Sequence, residues 1–419
     1  MDTLLDQIDQ LLDAREIKKA EVLIARQLRA DPALHGRAQL LLRRARARLI
    51  AQQPDDALED MQTARALDPA LAETPAALEL LADISFARFE LSPVGFAERS
   101  DADAALQLYQ RLIDTVPDYP NLGWVLYQKG RVLLTDNRVD EAIACFHEAL
   151  LKPSQVTALT AFCYERLGFV HLFDRRDPAA ALAFLDRAAV TYPPAEPEAW
   201  LGQLHILRSR ALREQKRYDE ALKAAQQALQ AMIAAGPEAR SGQQDAHLAL
   251  GEILAEIPGR EPEAVEHLQQ FLQLGKKPLG VDVTWSRVNE QLGDLLFLLG
   301  RYEGAIEAYH NALAFNPYHP WEVSLYYQIA RCYYRLRAYE KTVAAIQQMQ
   351  RAAVSESVEL TDYRPFHVLG NAYFALEQYR EAVAAYEQAV RLAPAQAEDL
   401  DKIQTYLRFA QELSNPQTK

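Results

Sequence analysis

Nine histidines, three cysteines and thirty-four arginines are the residues of this 419-residue chain with the most chemistry to offer. Their spacing gives little of it to catalysis. No His-x-x-x-His pair and no His-Glu-x-x-His occurs, so no helix turns two imidazoles toward one metal ion. Cys145, Cys163 and Cys332 are widely separated and form no Cys-x-x-Cys. That excludes a disulfide framework and fits a reducing compartment. A Gly-rich phosphate loop and a Gly-x-Ser-x-Gly elbow are both missing. Acid pairs are abundant, and on helices they read as solvated faces. The expectation is a chain that is not an enzyme, with no cofactor, no metal and three buried, inert thiols.

The arginines offer ion pairing instead. Arg37, Arg43, Arg44, Arg46 and Arg48 crowd the segment from His35 to Arg48, which holds no acid. Such a stretch could bind phosphate. Its apolar face (Ala38, Leu41, Leu42, Ala45, Leu49) places the arginines on the other sides of a helix, and Asp55, Asp56, Glu59 and Asp60 follow closely. Ion pairing with the next helix is the favoured reading.

The elements that carry these residues show in the glycines, alanines and prolines. Leu292-Gly293, Tyr302, Ala305, Tyr309, Ala312 and Pro317 recur as Leu369-Gly370, Tyr379, Ala382, Tyr386, Ala389 and Pro394 at identical offsets. Weaker copies continue through Ala20, Ala57, Ala105, Ala142, Ala181, Ala221 and Ala264, with Thr342 in the same role. Four residues after each stands Ile24, Met61, Tyr109, Phe146, Leu185, Ala225, Leu268 or Ile346. Stripes such as Ala305, Ile306, Tyr309, Ala312 and Leu313 have the period of an amphipathic helix. A lone helix pair cannot bury such stripes on both sides, so neighbouring pairs must stack.

The pattern resembles the tetratricopeptide repeat family, whose unit carries Leu-Gly in a first helix, Ala, an aromatic and Ala in a second, and a closing Pro. The resemblance implies an all-α fold: an α-solenoid of about ten antiparallel helix pairs, a right-handed superhelix, over residues 1–397. The units fall at about 1–34, 38–71, 75–119, 123–156, 161–195, 202–236, 244–279, 286–319, 323–356 and 363–396. A capping helix over 398–413, with Leu400, Ile403, Leu407 and Ala410 on one face, and a disordered tail over 414–419 follow. Glu90 to Asp101, with Pro93 and Gly95, interrupts the third unit. Ala234 to Pro237 and Lys276 to Gly280 are where the stack could break.

In the resembled family the first helices line a concave groove. Carried onto this chain, the implied groove residues are Tyr127 and Arg131 in the fourth unit and Phe162, Glu165 and Phe169 in the fifth. Arg210 and Arg213 follow in the sixth and Glu252 in the seventh. Arg287, Glu290, Asp294 and Phe297 come from the eighth, Tyr327, Arg331 and Tyr334 from the ninth, and His367, Asn371 and Phe374 from the tenth. Some members grip a C-terminal carboxylate with a Lys and Asn clamp. Here His367 stands where the lysine would be, so that mode is not expected.

The remaining bounds are compositional. At 49% apolar and 25% charged the chain is an ordinary folded protein. It holds no run of about 20 apolar residues, so no membrane insertion is expected. The acids of Asp2, Asp6 and Asp9 replace the basic flank of a signal peptide, so a cytoplasmic location is expected. Arginine outnumbers lysine 34 to 11, in keeping with a bacterial source. A net charge of −13 disfavours nucleic acid. The leading expectation is a non-catalytic protein–protein interaction scaffold, gripping a peptide or helix of another protein in its groove. Two alternatives stand beside it: a self-associating assembly module forming a homo-oligomer, and a nucleic-acid regulator acting through the 37–48 arginines.

Overall fold

A computed structural model of the chain describes residues 2–30, 33–92, 99–193 and 198–415. Among the described residues there are twenty-two α-helices, one short 3-10 turn and no strand. The chain divides into two compact units, Met1–Gln215 and Lys216–Lys419. The division falls between the two helices of the sixth sequence repeat, away from 234–237 and 276–280.

The first unit stacks pairs of antiparallel helices: α1 (Asp2–Asp13) with α2 (Ile17–Arg29), and α3 (Leu34–Ile50) with α4 (Pro54–Leu67). A four-residue helix, α5 (Pro69–Ala72), precedes α6 (Pro75–Leu91), which pairs with α7 (Arg99–Thr115). Then come α8 (Leu122–Thr135) with α9 (Val139–Ala149), α10 (Leu159–Phe173) with α11 (Pro178–Thr191), and α12 (Glu198–Glu214). The second unit begins with α13 (Tyr218–Ala234) and continues through α14 (Arg240–Ala255) with α15 (Glu261–Leu274). It then pairs α16 (Val283–Leu298) with α17 (Tyr302–Phe315), α18 (Glu322–Arg335) with α19 (Tyr339–Ser355), and α20 (Arg364–Ala375) with α21 (Tyr379–Leu392). Helix α22 (Leu400–Ser414) packs on α21. Tail residues 416–419, and 93–98 of the interruption in the third repeat, lie outside the described residues.

The repeat residues build the seams. Every second-helix alanine of the pattern, and Thr342, is fully buried. A Cβ added at Gly293 would sit 2.6 Å from the Tyr309 ring, and one at Gly370 would meet Tyr386 at the same distance. The glycine therefore clears the space that the aromatic of the second helix fills, and both tyrosines are 0% exposed. Between pairs, each second helix packs on the first helix of the next, as α7 with α8 and α17 with α18 do. The first helices adjoin one another at the other side, as α6 with α8 and α18 with α20 do.

Each described turn from a first helix to its second contains one residue with positive φ. These are Arg15, Gln52, Asn137, Arg176, Lys216, Gly259, Gly300, Arg337 and Glu377, at φ of 54° to 85°. At Gly300 the next amide, that of Arg301, donates to the Leu296 carbonyl at 2.8 Å. Arg337 and Glu377 are followed by the same bond, from Ala338 to Tyr333 and from Gln378 to Tyr373, both 2.9 Å. This is the Schellman closure, which satisfies carbonyls that the ending helix leaves open.

The basic stretch resolves into ion pairs on both sides. Arg43 donates from Nη2 to Asp9 at 2.7 Å, and Arg46 to Asp13 at 2.7 Å, both on α1. Arg44 and Arg48 close on Asp60 of α4 at 2.5 and 2.8 Å, and Asp60 is 2% exposed. These four arginines are therefore held on acids, two of them on the first helix of the preceding pair and two on the next helix.

Candidate functional site

In the first unit, α6 carries Glu79, Asp83, Phe86 and Glu90 at i, i+4, i+7 and i+11, which places them along one face. The carboxylate of Asp83 accepts the Tyr109 hydroxyl of α7 at 2.5 Å and, more loosely, Trp124 Nε1 of α8 at 3.4 Å. Glu79 accepts the Tyr119 hydroxyl at 2.5 Å and Asn121 Nδ2 at 2.6 Å, both from the turn before α8. Burial, with the Asp83 charge adding to it, pushes the Glu79 carboxyl up to about 7. Burial likewise raises Asp83, against the pull of its donors. Above this pair, Arg131 of α8 lies over the Phe86 ring at 4.9 Å. Its Nη1 donates to Gln128 Oε1 at 2.9 Å and its Nη2 to Glu90 Oε1 at 2.5 Å.

The second unit repeats this construction. Helix α16 carries Glu290, Asp294 and Phe297 at i, i+4 and i+7. Asp294 accepts the Tyr309 hydroxyl of α17 at 2.8 Å. His319, in the turn before α18, places Nε2 3.4 Å from Glu290. Burial raises the carboxyls of both Glu290 and Asp294. Arg331 of α18 lies 4.4 Å over the Phe297 ring and 5.9 Å from the Tyr327 ring. Its Nη1 donates to Gln328 Oε1 at 2.6 Å.

The other expected groove residues fall into different surroundings. Tyr127 is 7% exposed, its ring against Trp124, Phe146 and Phe162. Glu165 is 5% exposed and holds the neighbouring Arg166, which lies 5.1 Å over Phe169. Phe162 packs on Trp200 at 5.3 Å. Arg210 and Arg213 lie one turn apart on α12 and belong to neither cluster. Glu252 and Arg287 pair at 2.5 Å. In the last pair, His367 faces Asp399 at 3.2 Å, and Asn371 accepts the Tyr386 hydroxyl at 2.7 Å. Phe374 packs on Tyr406 of α22 at 5.8 Å. All three are half-buried, with Asp399 before α22, Tyr386 of α21 and Tyr406 of α22 as their respective partners. Tyr334 is half-buried beside Tyr339, at 6.0 Å. The cysteines are buried, and desolvation lifts the Cys163 and Cys332 thiols to about 12, which leaves them unreactive.

Sequence reasoning missed Glu79, Asp83, Phe86, Glu90 and Gln128. The signal that could have found them is a second, longer repeat. Tyr109, Pro117, Pro120 and Tyr127-Gln128-x-x-Arg131 reappear 200 residues later as Tyr309, Pro317, Pro320 and Tyr327-Gln328-x-x-Arg331. Glu-x-x-x-Asp-x-x-Phe occurs at 79–86 and again at 290–297.

Among the described residues no group of three or more His, Cys, Asp or Glu side chains is placed to hold a metal ion. No helix among them is long and apolar enough to cross a membrane.

Comparison with known proteins agrees with this architecture. The family model described as tetratricopeptide repeat matches residues 286–319 and 364–396. A second, described as Iml2/Tetratricopeptide repeat protein 39, matches residues 38–187. The chain belongs to the tetratricopeptide repeat proteins, with their all-α solenoid fold. No curated protein matches it significantly. A solved signal transduction ATPase with numerous domains and a tetratricopeptide repeat sensor, from Pyrococcus horikoshii, is 18% identical. The match covers 88% of this chain and 55% of that one, with a TM-score of 0.55. PilF of Pseudomonas aeruginosa is 18% identical over 55% of this chain and 91% of its own, with a TM-score of 0.42. YrrB, described as a tetratricopeptide repeat protein with an unusual peptide-binding site, is 18% identical over 50% of this chain and 93% of its own, with a TM-score of 0.36. At these identities the likeness is one of fold. A fold of this kind is that of a protein–protein interaction scaffold.

Proposed function

We propose that the chain is a non-catalytic scaffold that binds a peptide or helical segment of a partner protein along the first helices. The observation that carries this reading is the face of α16 and α18. There Arg331, Tyr327 and Phe297 stand together half-buried, with the more accessible Asp294 near them. Tyrosine and arginine held by their neighbours lose little freedom on binding and dominate interface energetics. Cross-linking of the chain to a partner captured from its native cell tests the reading. Links should map to the first-helix faces, and Tyr327→Ala should weaken capture. Links confined to second-helix faces, with capture unchanged by Tyr327→Ala, refute it.

A second reading, self-association, is favoured by another observation. Leu279, Val281, Val283, Tyr318 and Trp321 are each more than 60% exposed. Their two segments are tied by the Asp282 amide donating to the Phe315 carbonyl at 2.9 Å. An apolar patch of this kind marks an association surface. Light scattering that finds a strict monomer at all concentrations removes it.

A further inference from the structure

The two matching clusters differ at one place, and the difference suggests a ligand. In the first unit the Arg131 guanidinium is fully engaged: Phe86 beneath it, Gln128 on Nη1, and the Glu90 carboxylate on Nη2. In the second unit Phe297 and Gln328 repeat the first two contacts. The third is missing. The residue at the matching offset from Phe297 is Arg301, which is basic and lies beyond the end of α16. Among the described residues Arg331 forms no ion pair, and its Nη2 has no hydrogen-bond partner.

We infer that Arg331 is a seat for a carboxylate side chain of a partner polypeptide, and that Glu90 shows, within this same chain, how such a carboxylate sits. The inference rests on the scaffold reading above and names the chemistry of the partner at one point. A guanidinium whose plane is fixed by an aromatic ring and a glutamine presents its remaining N–H groups in a set direction, which suits a carboxylate oxygen. Arg335 and Arg337, in the last turn of α18 and just after it, also lack an ion pair among the described residues, as does Arg301. The local charge therefore favours an acidic segment, and the exposed Asp294 bounds the seat on one side. The first unit carries the same seat already filled by its own acid.

A display library of short random peptides, panned on the full chain, tests this. Synthetic copies of the recovered peptides are then measured by calorimetry. Recovered peptides should carry Asp or Glu, and Arg331→Gln should weaken them about tenfold or more, as losing a charge-assisted hydrogen bond does. Arg331→Lys keeps the charge but not the planar fork, and should weaken them less. Arg131→Gln should leave them unchanged, while exchanging the peptide's acid for its amide should match the loss at Arg331. Glu90→Gln empties the first seat and should raise the stoichiometry from one to two. Peptides that bind Arg331→Gln as they bind the wild type, or that keep their affinity as amides, overturn this inference and leave the scaffold reading standing. A stoichiometry fixed at one in Glu90→Gln overturns the equivalence of the two seats. Recovery of no peptide at all overturns both readings together.

Discussion

The hydroxyl of Tyr109 donates to the carboxylate of Asp83 across the α6–α7 seam at 2.5 Å. It is the strongest donor to an acid that burial already pushes toward the neutral form. Tyr109→Phe removes the donor and leaves the carboxylate with two weak ones, Trp124 Nε1 at 3.4 Å and Gln128 Nε2 at 3.5 Å. We expect a cost of about 1–3 kcal/mol at neutral pH. The sign with pH follows from the raised carboxyl. Stability contributed below the ordinary carboxylate range is lost as pH rises through the folded value, so the cost should be larger at pH 8 than at pH 5. Tyr309→Phe should cost less, because Asp294 is more accessible than Asp83. Chemical denaturation of both variants at the two pH values measures this.

Glu79 should govern the pH dependence of the first unit. Its carboxyl stands at about 7, against an ordinary value of 4.5. The fold therefore binds the proton more tightly than the unfolded chain does. Its contribution is complete below the unfolded value and disappears as pH climbs from 4.5 through 7. Glu79→Gln should flatten that fall by about 2–3 kcal/mol, with the variant more stable than the wild type at pH 8. Hydrogen exchange of α6 and α8 amides across that range gives the measurement, and parallel profiles for the two proteins refute the assignment.

Helix approach makes a third expectation. Gly293→Ala puts a Cβ 2.6 Å from the ring of the buried Tyr309 and should destabilise the second unit by about 1–3 kcal/mol. Gly280→Ala, with nothing near its Cβ, should stay within about 0.5 kcal/mol. Thermal melts compare them.

Asp60 is the shared acid of Arg44 and Arg48. Asp60→Asn leaves two guanidinium groups beside a neutral amide and should cost about 1–3 kcal/mol. The exposed Asp56→Asn should be neutral. Faster hydrogen exchange in α3 and α4 of the first variant alone is the expected result.

The fold was legible because its determinants are local and repeated. Small residues at the seam, such as Ala305 and Gly293, and bulky ones four positions on, such as Tyr309, have a mechanical role that spacing alone reveals. The clusters were less legible. An acid pair such as Glu79 and Asp83 on a helix looks like any solvated pair until the Tyr109 and Tyr119 hydroxyls are seen to reach it from other elements. Equally, nothing local separates Arg131 from Arg331. One is closed and the other open because α6 continues to Leu91, carrying Glu90 across, while α16 stops at Leu298. The contact of Tyr406 on α22 with Phe374 is a long-range fact of the same kind.

The left-handed turns carry a consequence for endurance. Of the nine, only those at Gly259 and Gly300 hold the residue suited to that backbone. The side chains at Arg15, Gln52, Asn137, Arg176, Lys216, Arg337 and Glu377 each sit in a conformation that costs L-residues about 1–2 kcal/mol, Asn least. Glycine at any of them relieves that strain, partly offset by a freer unfolded chain, for a gain of up to about 1 kcal/mol each. A melting temperature that rises as such changes accumulate, with Arg337 kept, would show that this array can be hardened against heat from its hinges alone, with every surface that meets another molecule left as it is.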